Sequence, residues 1–492
     1  MAKCIMVQGT MSGAGKSLLV TALCRIFQQD GWRVAPFKSQ NMALNSYITP
    51  DGLEMGRAQA AQAEAAGLDC DVRMNPILLK PSSDTGSQVI VNGEVRGHYD
   101  AADYFAMKRE LIPDILKAYK GLAEENDIIV IEGAGSPAEI NLRENDIVNM
   151  GLAELVNAPV LLAGDIDRGG VFAQLYGTIA LLRDTERRRV IGTVINKFRG
   201  DVELLRPGLL RLEELTGVPV LGVVPWLQAD IDDEDSLAPA LARTKAERAL
   251  DVAVVRLPHI SNFTDFPPLE EHPAVGVRYV YDPKQLGVPD LLILPGTKST
   301  MDDLLWLRGN GLESAILELA GRGTPVLGIC GGYQMLGREI ADPEAVEHGG
   351  TLQGMDLLPC RTVFSARKTR TRKQAEIQNG PFAGAKLEGY EIHMGETVSE
   401  AAPFCRFEDG KTDGAVNGNV FGTYLHGLFD TGELTARLAD WLAVRKGITI
   451  ESYRPVPRVL YRQRQYDLLA EAVRKSLDME RIYRAMEEYE DA

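Results

Sequence analysis

The stretch Thr324 to Gly337, TPVLGICGGYQMLG, limits what this chain can fold into more than any other. Pro325, Val326 and Leu327 predict a short buried strand, and a helix is expected to open at Tyr333. Cys330 stands at the turn between them, with Gly328 two residues before it and Gly332 two after. A strand, a sharp turn and a helix around G-x-C-x-G is the cysteine form of a nucleophile elbow, where small residues let neighbouring backbone approach. The helix N-terminus and a nearby histidine would both raise the thiolate fraction. Most free cysteines are buried structural residues, but the flanking glycines and the strand–turn–helix context argue against that here.

An elbow of this kind needs an oxyanion hole and a base. Leu291 to Thr300, LLILPGTKST, predicts an apolar strand running into Pro295-Gly296-Thr297. Backbone N–H groups there, Gly296 among them, together with that of Gly331, are the expected oxyanion donors. Of six histidines only His348, His393 and His426 follow Cys330. His426 ends the strand-like run Gly422-Thr423-Tyr424-Leu425 and is the expected base; His393, in Gly389 to Gly395, is the alternative.

LGICGGYQMLG followed by GTYLHGLF resembles the class I glutamine amidotransferase domain, and within it the cobyric acid synthase branch. The resemblance implies that Cys330 attacks glutamine and that ammonia is released. Better-known members carry a Glu two residues after the catalytic His. Here that position is Leu428, a departure this branch is known for, and it leaves open what orients His426.

The N-terminal half carries a second signature. An apolar run, Cys4 to Gln8, leads into Gly9-Thr10-Met11-Ser12-Gly13-Ala14-Gly15-Lys16-Ser17 and then a helix to about Gln29. This is a phosphate-binding loop one residue longer than usual, G-x5-G-K-S. Its N–H groups and the helix N-terminus suit phosphates, Lys16 the outer phosphates, and Ser17 a Mg²⁺ ion. The longer spacing resembles dethiobiotin synthetase and its relatives. Asp127 to Gly135, DIIVIEGAG, predicts a strand ending at Glu132, where that group keeps its metal-linked carboxylate. Asp165 and Asp167 follow the next buried strand as further metal or capping residues. The strand Val190 to Ile195 ends in Asn196-Lys197-Phe198-Arg199. GTP-binding relatives have Asp where Arg199 stands, so Asn196 points to an adenine contact and ATP.

KSQNMALNSYITPDG, Lys38 to Gly52, follows the second strand and closely matches cobyric acid synthase text. Lying at a strand's carboxyl end, Lys38, Gln40, Asn41 and Asn45 are expected to face substrate or phosphate, with Arg57 in the following helix. The polar loop Lys80 to Gln88 and the run SPAEINLRENDIVNMGLAE resemble the family too.

Strands and helices alternate throughout, which predicts an α/β protein: an N-terminal doubly wound P-loop domain over 1–228, an acidic linker over 229–250, a class I glutamine amidotransferase-like domain over 251–447 and a helical extension over 448–492. At 492 residues the chain has room for two or three full cores. A net charge of −16 argues against nucleic acid or an anionic membrane as partner. A local basic pocket from Lys38, Arg57, Lys80 and Arg168 is still required for a polycarboxylate. The six cysteines form no C-x-x-C pair and read as reduced cytosolic thiols. No secretory leader and no apolar run of about 18 residues is present, so a cytoplasmic protein is expected. Whether it is a homo-oligomer is left open.

An ATP site and a glutaminase site on one chain imply amide formation from a carboxylate, with ATP, glutamine and Mg²⁺ required. The corrinoid polycarboxylate, adenosylcobyrinic acid a,c-diamide amidated at its b, d, e and g side chains in cobalamin biosynthesis, is implied by the resemblance alone. Cobyrinic acid a,c-diamide synthase is the nearer alternative. A non-enzymatic P-loop switch with a degenerate amidotransferase fold is the remote one.

Overall fold

The structure is a computed structural model that describes residues 2–81, 86–227, 231, 243–245 and 248–490. Most of the expected linker, 229–250, lies outside the described residues, as do Ser82 to Thr85 of the polar loop after Lys80. The chain forms two compact units, one of Met1–Ala43, Leu53–Asp232 and Arg462–Ala492, the other of Leu44–Gly52 and Asp233–Tyr461.

In the first unit the apolar runs become a parallel sheet. Its elements are β1 (Lys3–Gly9), α1 (Lys16–Gln29), β2 (Val34–Phe37), α2 (Arg57–Ala65), β3 (Ile128–Glu132), β4 (Val160–Asp165), β5 (Val190–Phe198) and β6 (Val220–Pro225). The strand order is β6-β5-β4-β1-β3-β2, with every pairing parallel. Ile5, Val7, Val130, Leu161, Ala163 and Val194 are fully buried. Strands covered on both faces read as continuous apolar runs, which is why they were visible in the sequence. Each such Val, Leu or Ile contributes roughly 1.5–3 kcal/mol by leaving water. The order reverses around β1, so the ends of β1, β3 and β4 meet at the crevice where ligands bind in open α/β sheets.

Between β2 and β3 the chain also forms a helix Ala101–Met107, a 3₁₀ turn Lys108–Leu111 and a helix Ile112–Glu125. Pro113 lies in the first turn of the last piece, where its missing N–H costs nothing. A second sheet joins Gln40–Met42, Ile77–Pro81, Gly86–Val91 and Glu94–Asp100, so that both described ends of the expected polar loop Lys80 to Gln88 lie in strands. The C-terminal helices place Tyr466, Leu469, Val473, Leu477, Ile482 and Met486 in the core of this first unit. Leu468 remains 60% exposed.

The second unit is built on β7 (Leu250–Val255), β8 (Val275–Val280), β9 (Leu291–Leu294), α3 (Thr300–Asn310), β10 (Val326–Ile329), α4 (Gly331–Leu336), β11 (Cys360–Ile377), β12 (Lys386–Ser399), β13 (Ala415–Asn417) and β14 (Val420–Thr423). Its main sheet runs β8-β7-β9-β10-β14-β13, parallel except for the edge strand β13. Ile329 pairs with Thr423 and Leu294 with Gly328. This register brings Gly296, Cys330 and the residues after Thr423 to one end of the sheet. Strands β11 and β12 form a long antiparallel ribbon in a separate sheet. Among the described residues no helix is long and apolar enough to cross a membrane.

Candidate active sites

In the first unit the loop after β1 wraps the start of α1. Gly13 and Gly15 have φ of 73° and 89°, conformations that favour glycine. A Cβ on Gly15 would stand 2.1 Å from Asn196 Nδ2, so a side chain there would displace the asparagine. Lys16 Nζ donates to the carbonyls of Met11 and Gly135 at 3.1 and 3.0 Å. Thr10 Oγ1 donates to Gln174 Oε1 at 3.1 Å. Ser17 Oγ donates to Glu132 Oε1 at 2.9 Å. Glu132, 1% exposed, also receives Lys38 Nζ at 2.8 Å and Gln62 Nε2 at 2.5 Å. The structure therefore brings Gly9, Gly15, Lys16, Ser17, Lys38 and Glu132 together.

Asn196 is beside the loop, with both ends of its amide engaged. Nδ2 donates to Ala14 O at 3.0 Å and Oδ1 accepts the Lys197 N–H at 2.8 Å. Lys197, at φ 61°, donates from Nζ to Gly13 O at 2.6 Å and to Asp165 Oδ2 at 2.8 Å. Asp165 thus anchors a lysine on the loop, while Gly170, not an acidic side chain, precedes the helix at Val171.

The substrate candidates are largely buried. Gln40 Oε1 accepts Tyr104 OH at 2.6 Å, and Asn41 Nδ2 donates to Gln59 Oε1 at 3.0 Å. Among the described residues Gln59 Nε2 and Gln62 Oε1 are buried without a hydrogen-bond partner. Arg57 is 8% exposed. Lys80, like Lys38, pairs with a buried carboxylate, Glu54 at 2.8 Å, whereas the side chain of Arg168 is 63% exposed. Asn45 clusters with the second unit, the other substrate candidates with the first.

In the second unit Cys330 has φ 51° and ψ −108°, a strained conformation for a residue with a Cβ. Its glycines are sterically required. A Cβ on Gly332 would fall 2.0 Å from Leu294 O, and one on Gly328 2.7 Å from the Tyr333 nitrogen. The Cys330 N–H donates to Thr423 O at 2.8 Å, tying the elbow to β14. The Gly332 N–H is taken by Pro295 O at 3.1 Å. Gly331 lies against Thr297, 2.6 Å from its Cγ2 to an ideal Cβ, and Gly296 lies 2.8 Å from His426 Cε1 by the same measure. Cys330, Gly331, Gly296 and His426 thus form one cluster.

His426 is fully buried. Its Nδ1 is 2.7 Å from Asp265 Oδ2, and Asp265 Oδ1 accepts the Gly427 N–H at 2.9 Å. Among the described residues Nε2 is buried without a hydrogen-bond partner. Tyr390 stacks on the ring at 5.4 Å between centroids, and the backbones of the two residues exchange hydrogen bonds. Burial alone would depress the imidazole. The Asp265 carboxylate and the Cys330 thiol outweigh it and raise the group from 6.5 to about 10.

His393, the alternative base, has Nδ1 on Gly395 O at 2.7 Å and stacks on Tyr424 at 3.8 Å. Its nearest carboxylate, Glu391, is 3.8 Å away. The neighbouring Ile392 O is 3.7 Å from Cys330 Sγ. Asp265, Lys197, Gln62 and Tyr390 were not singled out from the sequence. Asp265 and His426 lie 161 residues apart, and no spacing rule connects them.

Leu428 is fully buried in the apolar core of this unit. A glutamate there would have to desolvate a carboxylate among hydrocarbon side chains. Leu428→Glu is expected to give no gain in glutamine turnover and to cost on the order of 3 kcal/mol. Thermal denaturation beside a glutaminase assay checks both.

Comparison with known proteins finds two family models along the chain. Residues 5–240 match the model of the CobQ/CobB/MinD/ParA nucleotide binding domain. Residues 251–434 match that of the CobB/CobQ-like glutamine amidotransferase domain. The chain is 57% identical to a cobyric acid synthase from Ruminiclostridium cellulolyticum over 99% of this chain and 98% of that one. It is 54% identical to a cobyric acid synthase from Lachnoclostridium phytofermentans (99% and 100%) and 52% identical to one from Citrobacter koseri (100% of both). The chain belongs to the cobyric acid synthase family and is a glutamine-dependent, amide-forming ligase with a nucleotide-binding domain and a glutamine amidotransferase domain.

Proposed function

We propose that this enzyme amidates the b, d, e and g carboxylates of adenosylcobyrinic acid a,c-diamide, using ATP to activate each as an acyl phosphate and glutamine as nitrogen source. The observation that carries the reading is the presence of two separate constellations on one chain. One is a phosphate loop whose Ser17 bonds a buried Glu132. The other is a strained Cys330 beside a buried, carboxylate-paired His426. A carboxylate is a poor electrophile because hydroxide leaves badly; phosphorylation supplies a good leaving group.

Lys16 and the N–H groups of the loop hold the ATP phosphates, and Lys16 balances charge on the phosphoryl group in transfer. Ser17 and Glu132 supply a hydroxyl and a carboxylate, an oxygen set that suits Mg²⁺ completed by phosphate and water. Among the described residues no group of three or more His, Cys, Asp or Glu could hold a metal by itself. When bound, the ion neutralises phosphate charge. Lys38, Gln40, Asn41 and Arg57, all of the first unit, bind the corrinoid.

In the other unit His426 takes the proton of Cys330, the thiolate attacks the glutamine carboxamide, and the N–H groups of Gly296 and Gly331 stabilise the oxyanion. Collapse, with His426 handing that proton to the leaving nitrogen, releases ammonia and leaves a glutamyl thioester, which water hydrolyses to glutamate and the free thiol. Ammonia then displaces phosphate from the acyl phosphate. The test is mass spectrometry of the corrinoid after incubation with ATP, Mg²⁺ and glutamine. Conversion of the four named carboxylates to amides is expected. Amidation at the a and c positions of the unamidated precursor would instead favour the a,c-diamide synthase reading.

A further inference from the structure

We infer that Asp265 is the positioning carboxylate of the glutaminase site, holding His426 in the orientation and tautomer that the reaction needs. The inference rests on the reading of Cys330 and His426 as nucleophile and base. The family at large places a Glu two residues after the histidine; here that residue is Leu428, fully buried in the apolar core.

The geometry of the replacement is specific. Asp265 is 3% exposed, and its two oxygens have different duties. Oδ2 lies 2.7 Å from His426 Nδ1, while Oδ1 accepts the N–H of Gly427 at 2.9 Å. One carboxylate therefore grips both the ring and the backbone that follows it. The aspartate is itself held. Its N–H donates to Asn262 O at 3.0 Å, and Asn262 sits in the left-handed region at φ 51°. Phe263 and Phe266, on either side of it, are 2% and 1% exposed in the core. Tyr390 covers the histidine ring.

A carboxylate on Nδ1 does two things. It keeps the proton on Nδ1, which leaves the Nε2 lone pair for the thiol. It then stabilises the imidazolium once the thiol proton has moved. Among the described residues Nε2 is buried and has no other partner, so none of them competes for it. A neutral amide in place of the carboxylate preserves the shape, loses the charge, and can present N–H₂ to Nδ1, which selects the wrong tautomer.

The test compares Asp265→Asn and Asp265→Ser with Cys330→Ala and His426→Ala, each assayed for glutamine hydrolysis and for amidation with ammonium salt. Both Asp265 variants are expected to lower kcat for glutamine about 10²- to 10⁴-fold with KM changed only a few-fold. Ammonia-dependent amidation stays at the parent rate. The pH profile of Cys330 alkylation by iodoacetamide should shift, because the imidazolium that supports the thiolate loses its proton at lower pH without the carboxylate. Parent-like kcat in the Asp265 variants, with Cys330→Ala and His426→Ala inactive, overturns the role of Asp265 alone. Glutaminase activity persisting in Cys330→Ala or His426→Ala overturns the nucleophile–base reading and this inference with it. Loss of activity with both nitrogen sources, or an unshifted alkylation profile, assigns Asp265 to folding and overturns its positioning role. Serine, smaller and able to admit water, carries the test if the asparagine variant does not fold.

Discussion

Cys330→Ser is expected to lose glutamine-dependent amidation and to retain amidation from ammonium salt. A serine hydroxyl is scarcely ionised at neutral pH, so it is a far weaker nucleophile than a thiol with an adjacent base. The substitution is nearly isosteric, and Cys330 is already held by Thr423 O at its N–H and by glycines on both sides. The fold should therefore survive. A drop of at least about 10³-fold in glutamine turnover is expected, the scale seen when a catalytic nucleophile is removed. On the proposed mechanism the acyl phosphate needs no thiol to form, and free ammonia at high pH is expected to reach it from solution. Product formation with each nitrogen source, measured separately, is the check. The other five cysteines, all buried, should be dispensable for the chemistry.

Lys16→Ala and Glu132→Gln are expected to abolish amidation with either nitrogen source. On the proposed reading Lys16 supplies charge to the phosphoryl group in transfer. Glu132 is the buried acceptor on which Ser17, Lys38 and Gln62 converge, so an amide there leaves Lys38 facing a neutral group. Losses of about 10³-fold or more are expected from removing such charge stabilisation. Glutamine hydrolysis assayed alone should continue in both variants. Near-parent amidation would remove the ATP-site assignment.

The framework of both sites was legible because parallel α/β sheets carry chemistry at the carboxyl ends of buried strands, and such strands are continuous apolar runs. Gly9, Glu132, Gly296, Cys330 and His426 could all be placed that way. What the sequence could not show are partners set by tertiary packing. Asp265 lies on a short 3₁₀ turn far from His426 in sequence. Lys197, which adopts positive φ near the end of β5, reaches the backbone of the phosphate loop. Asn196 is expected from the sequence to contact adenine; in the structure its amide bonds the backbone of Ala14 and Lys197. Nothing in the text of Leu44–Gly52 showed that it clusters with the second unit. There Ile48 packs with Tyr390 and Ile392, and the Ser46 N–H reaches Asn262 Oδ1 at 3.3 Å.

The most direct test of the chemistry follows oxygen. Corrinoid substrate labelled with ¹⁸O in its carboxylates is incubated with ATP, Mg²⁺ and glutamine, and the phosphate released is examined by mass spectrometry. Attack of ammonia on an acyl phosphate leaves one carboxylate oxygen on phosphate, so each amide formed should deliver one ¹⁸O to inorganic phosphate. Amide formation with the label in AMP, or with no label in phosphate, would contradict the account.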